Sequence, residues 1–359
     1  MLDLANVKYR VTCLCSDSTQ LDLTDISTGL GYSEGAKELS VKIQFKICAD
    51  VQVNGKNISE FVKIGCTIFV FADVGDGFKE VTRGKIVKQK LIESNREFFL
   101  DVEAEDEAAS LRKSQDDLFF TDGHSSTAIL EEILSRWNVP NSISVKSIKL
   151  GKKVYRKKYL SDMIADVLND LREKGGGDFF VRATGGNVEI VERGTNSEVY
   201  SFDIAENVLK VTETLDASKL VTKVKVIGKT TDEGHPAVEQ TVEKNSATYG
   251  THQAIYHRGE HENLDEATKA AKKILDEQSD AKRKVSIETV DVPFLRKNDR
   301  IRLTSSFGTS FFFVKSIRHD TVNRKMTLEL DADKSADKNL LNQAFDVAES
   351  SSSDSSDAP

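Results

Sequence analysis

No apolar run in this sequence approaches the ~18 residues that a membrane-spanning helix needs. The start, MLDLANVKYRV, has neither the basic segment nor the apolar core of a secretory signal. Synthesis and folding in the cytoplasm are therefore expected, with any export by another route. Basic charge is also in short supply. Lys and Arg number 50 against 58 Asp and Glu, a formal net charge of −8. That balance argues against a broad basic surface for nucleic acid, though not against a local patch, and an acidic wall is compatible with a polyanion sliding past. Cysteines are few, and all lie early: Cys13, Cys15, Cys48 and Cys66. They form no paired CxxC pattern of the kind zinc sites use. Cys13 and Cys15, two apart, share one face of a strand. The reading is small buried thiols in a reducing compartment, with no metal expected.

Motifs for catalysis are similarly thin. HRGEH, His257 to His261, has the order of an inverted zinc-protease motif. That chemistry needs both histidines one turn apart on a helix, yet Gly259 sits between them and the next helix begins only at Asn263. Solvated loop histidines are expected. Gly228-Lys229-Thr230 imitates the end of a phosphate loop, but Lys223 stands where the loop's first glycine belongs, so a strand end is expected. GLGYSEG, Gly29 to Gly35, spaces its glycines wrongly for a dinucleotide fingerprint and reads as a flexible loop. The acids Glu103, Glu105, Asp106 and Glu107, and the pair Asp116 and Asp117, read as solvated faces; glycan cleavage would need two carboxylates opposed across a cleft. KLGKKVYRKKYL, Lys149 to Leu160, mixes basic residues with Tyr155 and Tyr159. It reads as a hairpin or linker, with contact to nucleic acid or an anionic glycan as its functional alternative. No Ser-His-Asp or Cys-His arrangement emerges. No catalytic, cofactor-binding or metal residue is assigned, and no cofactor is expected.

What the chain does have is β texture, interrupted once. Its 359 residues suggest two or three domains. Val41, Ile43, Phe45 and Ile47 alternate with polar residues, the period of a half-buried strand. Asn54-Gly55 is a hairpin turn signal. TIFVFADV, a Gly75-Asp76-Gly77 turn, GKIVKQKLI and FFLDVEA complete a small antiparallel barrel or sandwich. From residue 111 the period changes. STAILEEILSRW puts Ile129, Leu130, Ile133, Leu134 and Trp137 on one helical face, stopped by Val139-Pro140. LSDMIADVLNDLREKGGG aligns Met163, Ile164, Val167, Leu168 and Leu171, with Ser161 as N-cap and Gly175 as the stop. DFFVRATGGNVEIVER reads as a hairpin turning at Gly185-Gly186. β texture returns at KLVTKVKVIG. The stretch from Thr230 to His261 resists reading. Asn263 and Glu266 form a capping box for a helix whose stripe is Ala267, Ala270, Ala271 and Ile274. The end, AESSSSDSSDAP, is too polar to bury a core and reads as disordered.

Two stretches echo each other. VKIGCTIFVFADVGDGFKEVTRGKIVKQKLIESNREFFLDVEAED and LRKNDRIRLTSSFGTSFFFVKSIRHDTVNRKMTLELDADK share one order of features. Each has a basic residue, a turn at Gly65 or Asn298, and a strand. A Gly-Phe neighbourhood, a second strand, a polar turn and an acid-closed strand follow. Two similar modules per chain would let a trimer present six-fold pseudo-symmetry.

The order of RGKIVKQ, LRKSQDDLFF, TAILEEILSRWNVP, LSDMIADVLNDL, GGDFFVRATGGNVEIVERG, DASKLVTKVKVIGK and VPFLRKNDRIRL resembles the baseplate hub proteins of contractile phage tails and phage-tail-like bacteriocins, in the form found in prophages of Gram-positive bacteria. Many members have glycine where Asn298 stands, and Asn also tolerates a left-handed turn. The resemblance implies an α+β, mainly β fold with two tube-like antiparallel β-barrel modules and an inserted α+β unit. The first module would span 1–110, the insert 111–198, and the second module 199–340 with a helical insertion near 263–278, before a disordered tail at 341–359. It implies a non-enzymatic structural protein of the virion or bacteriocin particle: a homotrimeric hub, six-fold in appearance, joining the hexameric tail tube to the trimeric spike. Implied partners are the tube protein, the central spike, other baseplate proteins and the tape-measure protein, with no membrane span and no specific nucleic-acid binding. The competing reading is a tail-associated cell-wall glycan hydrolase or wall-binding module.

Overall fold

A computed structural model describes residues 4–15, 17–95, 97–230, 236–306 and 308–333. The Ser-rich tail lies outside the described residues. The fold is α+β and mainly β, with large antiparallel sheets. Among the described residues no helix is long and apolar enough to cross a membrane. The chain forms two compact units, Met1–Val211 with Ser286–Pro359, and Thr212–Val285.

In the larger unit, one antiparallel succession of strands runs Lys325–Ala332, Gly308–Asp320, Ser27–Glu34, Lys42–Cys48, Phe98–Glu105, Lys79–Glu93, Thr67–Asp73, Lys8–Leu14 and Gln20–Asp22. Val11, Ile43, Ile47, Ile68, Val70, Ile86, Leu100 and Ala104 fill the core beneath it. Their alternation with polar residues turns one face of each strand inward, and each fully buried aliphatic contributes about 1.5–3 kcal/mol. GLGYSEG, expected as a flexible loop, is instead part of the strand Ser27–Glu34. Its period-two residues Leu30, Tyr32 and Glu34 are buried, a pattern that the glycines disguised. Gly31 is needed there because an added Cβ would come within 3.0 Å of the His319 carbonyl on the neighbouring strand.

The two echoing stretches fold as two antiparallel meanders. The first is Thr67–Asp73, Lys79–Glu93 and Phe98–Glu105; the second is Arg300–Ser305, Gly308–Asp320 and Lys325–Ala332. Each is entered through a left-handed residue, Gly65 at φ 91° and Asn298 at φ 67°. The Gly65 N–H donates to the Ile86 carbonyl at 2.9 Å, and Ile86 donates back to Cys66 at 2.8 Å. Asn298 donates to Val314 at 2.7 Å, and Val314 donates back to Asp299 at 2.9 Å. Just past these bonds both middle strands bulge, between Ile86 and Lys88 and between Val314 and Ser316. A bulge bends and twists its strand, so sharing one at the same point gives both meanders the same local bend.

One position differs sharply. Gly84 lies opposite Ile68 where the second meander sets Phe312 opposite Ile301. A Cβ on Gly84 would sit 2.7 Å from the Glu105 carbonyl carbon and 2.8 Å from its oxygen. Gly84→Val is therefore expected to destabilise the chain by about 1–3 kcal/mol. A lower urea midpoint at constant slope would register this; an unchanged midpoint would refute the close approach.

The middle of the chain carries a second core, in which helices Ser126–Ser135 and Leu160–Glu173 pack with the antiparallel strand pair Gln115–Phe120 and Lys153–Tyr159 and a three-stranded sheet. Ser125 caps the first helix by accepting the Ala128 N–H at 3.2 Å. That helix ends at Ser135 and the chain turns left-handed at Asn138, so Trp137 leaves the apolar face and is 42% exposed. The second helix starts one residue before the expected cap. Its N-cap is Tyr159, and the Leu160 N–H is satisfied by the Ser114 carbonyl at 3.0 Å, so Ser161 caps nothing. Its end is a Schellman motif. Gly176 donates to Leu171 at 2.7 Å, Gly175 donates to Arg172 at 3.0 Å, and Gly175 has φ 72°. Gly185 and Gly186, at φ 58° and 86°, make the tight hairpin turn between Thr184 and Asn187.

In the smaller unit, Lys223–Thr230 lies between Pro236–Glu243, antiparallel, and Gln253–His257, parallel. The helix Leu264–Gln278 covers this sheet through Ala267, Ala271 and Leu275, packed on Val224 and Val226. The Asn263–Glu266 capping box is formed in both directions. The stretch that resisted reading thus supplies both outer strands.

Candidate functional site

The residues flagged for chemistry are dispersed. His257 ends a strand and His261 lies in the following turn, both exposed. Between them, Arg258 makes a two-pronged pair with Glu239, at 2.6 Å on each prong. Gly228-Lys229-Thr230 is strand. Among the acids, Glu105 is tied to Arg112 and Lys113, while the exposed Asp117 accepts the Lys157 backbone N–H from the paired strand. In the basic tract, Lys153 bridges Asp166 at 2.7 Å and Asp170 at 2.8 Å. Lys152 lies over Phe119 and Lys158 over Tyr155. Lys153–Tyr159 of the tract is not half of a hairpin: it is a strand paired with Gln115–Phe120 across an intervening helix.

What the fold does assemble is a buried ionic junction. Arg296 donates from Nε to Glu34 Oε1 at 2.5 Å and from Nη2 to Oε2 at 3.2 Å. Its two Nη atoms also reach the Ala183 carbonyl at 3.3 Å. The Lys297 ammonium donates to the carbonyls of Gly35 and Glu38. Asp299 accepts the Arg296 backbone N–H at 2.9 Å and lies 3.7 Å from Arg182. Asp106 accepts the N–H groups of Val41 at 2.9 Å and Ala108 at 3.1 Å. One guanidinium thus holds together the end of the strand Ser27–Glu34, the Gly185-Gly186 hairpin and the entrance of the second meander.

Burial shapes the charges there. It pushes Glu34 upward, but the charges and hydrogen bonds of Arg296 and Lys297 outweigh it and hold Glu34 below the usual carboxylate value. Burial dominates at Asp106, which rises to about 7, and at Asp299, which rises to about 6. A structural ion-pair network perturbs carboxylates as an active site does, so these shifts do not by themselves mark catalysis.

A second buried cluster lies between Tyr9, Tyr32, Asp291 and His319. His319 Nδ1 is 2.6 Å from Asp291 Oδ1, and Asp291 also accepts the Tyr9 hydroxyl. Tyr32 stacks on the His319 ring at 4.1 Å and donates to the Pro293 carbonyl at 2.9 Å. Asp291 and His319 are each 1% exposed, and His319 Nε2 has no hydrogen-bond partner among the described residues. Sealed in this way, the His-Asp pair ties the strand Gly308–Asp320 to the segment that carries Asp291.

The solvent face of the first meander carries a charge ladder. Asp101 and Glu103 stand between Lys46 and Gln44 on one side and Lys90 and Lys88 on the other, whereas Glu105, between Lys42 and Lys85, is buried. Together with Phe45 and Val102, part of it lines a shallow trough of about 450 Å³. Opposite charges directly across a strand pair stabilise it and keep the face wet.

Sequence reasoning missed Glu34, Arg296 and Asp299. Its only trace was the basic residue before the turn in each echoing stretch: Lys63 there is exposed, whereas the Arg296 side chain is only 12% exposed.

Comparison with known proteins bears on most of the chain. The model of the YQBQ-like family matches residues 32–333. No curated protein sequence matches. Among solved structures, the 43 kDa tail protein of prophage MuSo2 from Shewanella oneidensis aligns with a TM-score of 0.66 at 13% identity, covering 90% of this chain and 98% of that one. A tail protein from Neisseria meningitidis aligns at 0.64 and 13% identity, covering 90% and 97%. A type VI secretion component of E. coli, described as similar to the T4 tail proteins gp27 and gp5, aligns at 0.50 and 11% identity, covering 91% and 76%. At these identities the likeness is one of fold.

Proposed function

The chain belongs to the YQBQ-like family, and we propose that it is a structural baseplate hub of a contractile phage tail or phage-tail-like bacteriocin. Three copies would form a ring of six similar β modules joining the hexameric tail tube to the trimeric spike. The observation that carries this reading is the repeated meander, with its left-handed entry, reciprocal hydrogen bonds and bulge in the same place. A chain with two such modules, at 1–110 and 199–340, meets six-fold and three-fold neighbours at once. The fold shared with prophage tail proteins over nearly their full length supports a tail role. Tube, spike, tape-measure and other baseplate proteins are the partners, and assembly takes place in the cytoplasm before release of the particle. The reading requires no catalysis: its work is strand edges and charged faces matched to neighbouring subunits.

Light scattering after size exclusion tests it. The expected species is three times 39.8 kDa, about 119 kDa. A monomer at every concentration, persisting when the spike protein is added, would overturn the trimer. Release of sugars from purified cell wall, abolished by changing a single acid, would replace the structural reading with a hydrolase.

A further inference from the structure

We propose that Cys13, Cys15 and Cys66 form a three-thiolate site for a soft, thiophilic d10 metal ion. Linear spacing hides the site because Cys66 belongs to another strand. On the paired strands Cys13 lies opposite Ile68 and Leu14 opposite Thr67, so the next step brings Cys15 opposite Cys66. Cys13 and Cys15 share a face, with their sulfurs 4.0 Å apart. All three Sγ atoms lie within 4.8 Å of one another, and the residues are 0%, 6% and 2% exposed. Three sulfurs at the ordinary metal–thiolate distance of ~2.3 Å, set at the corners of a triangle, are about 4 Å apart. The cluster is close to that spacing before any ion arrives.

The donor set selects the ion. No imidazole or carboxylate joins the three sulfurs among the described residues. Zn(II) closes structural sites with four ligands, whereas soft ions such as Cd(II), Hg(II) and Cu(I) accept thiolates alone and low coordination. On binding, three S–H bonds break, three metal–sulfur bonds form and three protons go to solvent, with no change of oxidation state. An ordinary thiol is mostly protonated at neutral pH, so binding displaces protons and tightens as pH rises. Cys48 stands apart, donating to Asp50 at 2.7 Å, and serves as an internal control.

The test uses the reduced full-length protein with Cd(II) alone as probe. One equivalent is expected to saturate the ultraviolet thiolate-to-metal absorption and to release about three protons. Cys48→Ser is expected to retain this behaviour. Cys66→Ser and Cys15→Ser are expected to lose at least about tenfold in affinity. If either variant fails to fold, proton release from the wild-type chain still decides. No charge-transfer band at one equivalent, fewer than two protons released, or loss of binding in Cys48→Ser would each overturn the site.

Discussion

Replacing Arg296 with Met is expected to destabilise the chain by about 3–5 kcal/mol, more than any other single substitution in the junction. The guanidinium is paired with Glu34 on both oxygens, and their side chains are only 12% and 10% exposed. Methionine fills much of the same volume, so the loss is electrostatic. Glu34 is left as a buried carboxylate, and the Ala183 carbonyl loses its two donors. The double variant Arg296→Met with Glu34→Gln should recover a large part of the loss, because the orphaned charge goes with its partner. Urea denaturation of the four proteins in the cycle measures the coupling. Lys85→Ala, on the exposed face of the charge ladder, should stay within about 0.5 kcal/mol of wild type. A single variant as stable as that control, or additive effects in the cycle, would remove the junction from the account of this fold.

The same residues show what the sequence could and could not disclose. Periodicity located most strands and helices, because a buried face must repeat every two or 3.6 residues wherever it lies in the chain. It misread GLGYSEG, where three glycines masked Leu30, Tyr32 and Glu34, and where Gly31 is fixed by a carbonyl on a strand almost three hundred residues away. Ser161 failed as a cap because Ser114, also remote in sequence, satisfies the Leu160 N–H. Trp137 failed because the helix ended a turn early at Ser135. The echo was legible as an order of turns and strands. Its strongest support, the matched bulges after Ile86 and Val314, is a matter of hydrogen-bond register, which composition does not encode locally. The junction was least visible of all. Glu34, Asp106, Arg182 and Arg296 come from four separate stretches, and nothing in LRKND separates a buried arginine from the exposed Lys63 at the matching place.

Stability should also depend on pH in a direction opposite to that of an ordinary salt-bridged protein. Asp106 rises from 3.8 to about 7 and Asp299 from 3.8 to about 6, chiefly through burial. A carboxyl whose folded value is raised binds its proton more tightly in the folded chain. Its contribution is complete below the unfolded value near 3.8 and is lost as pH rises through the folded value. Glu34 runs the other way: held below its usual value, it contributes above about 4.5 and loses that contribution as pH falls through its folded value. The two trends put the maximum below pH 5, with a decline from pH 5 toward pH 8 on the order of 2–4 kcal/mol, since a tenfold change in proton affinity is worth about 1.4 kcal/mol and the two aspartates share one arginine. Asp106→Asn keeps the shape and an acceptor for one of the two N–H groups, but cannot ionise. It should flatten the decline between pH 5 and 8 while lowering stability at pH 5, where the native carboxyl already serves. Urea midpoints at half-unit pH steps measure both curves. A wild-type chain that grows more stable from pH 5 to 8 would mean that Asp106 and Asp299 are ionised in the folded state, and that Arg296 and Arg182 hold three carboxylates rather than one.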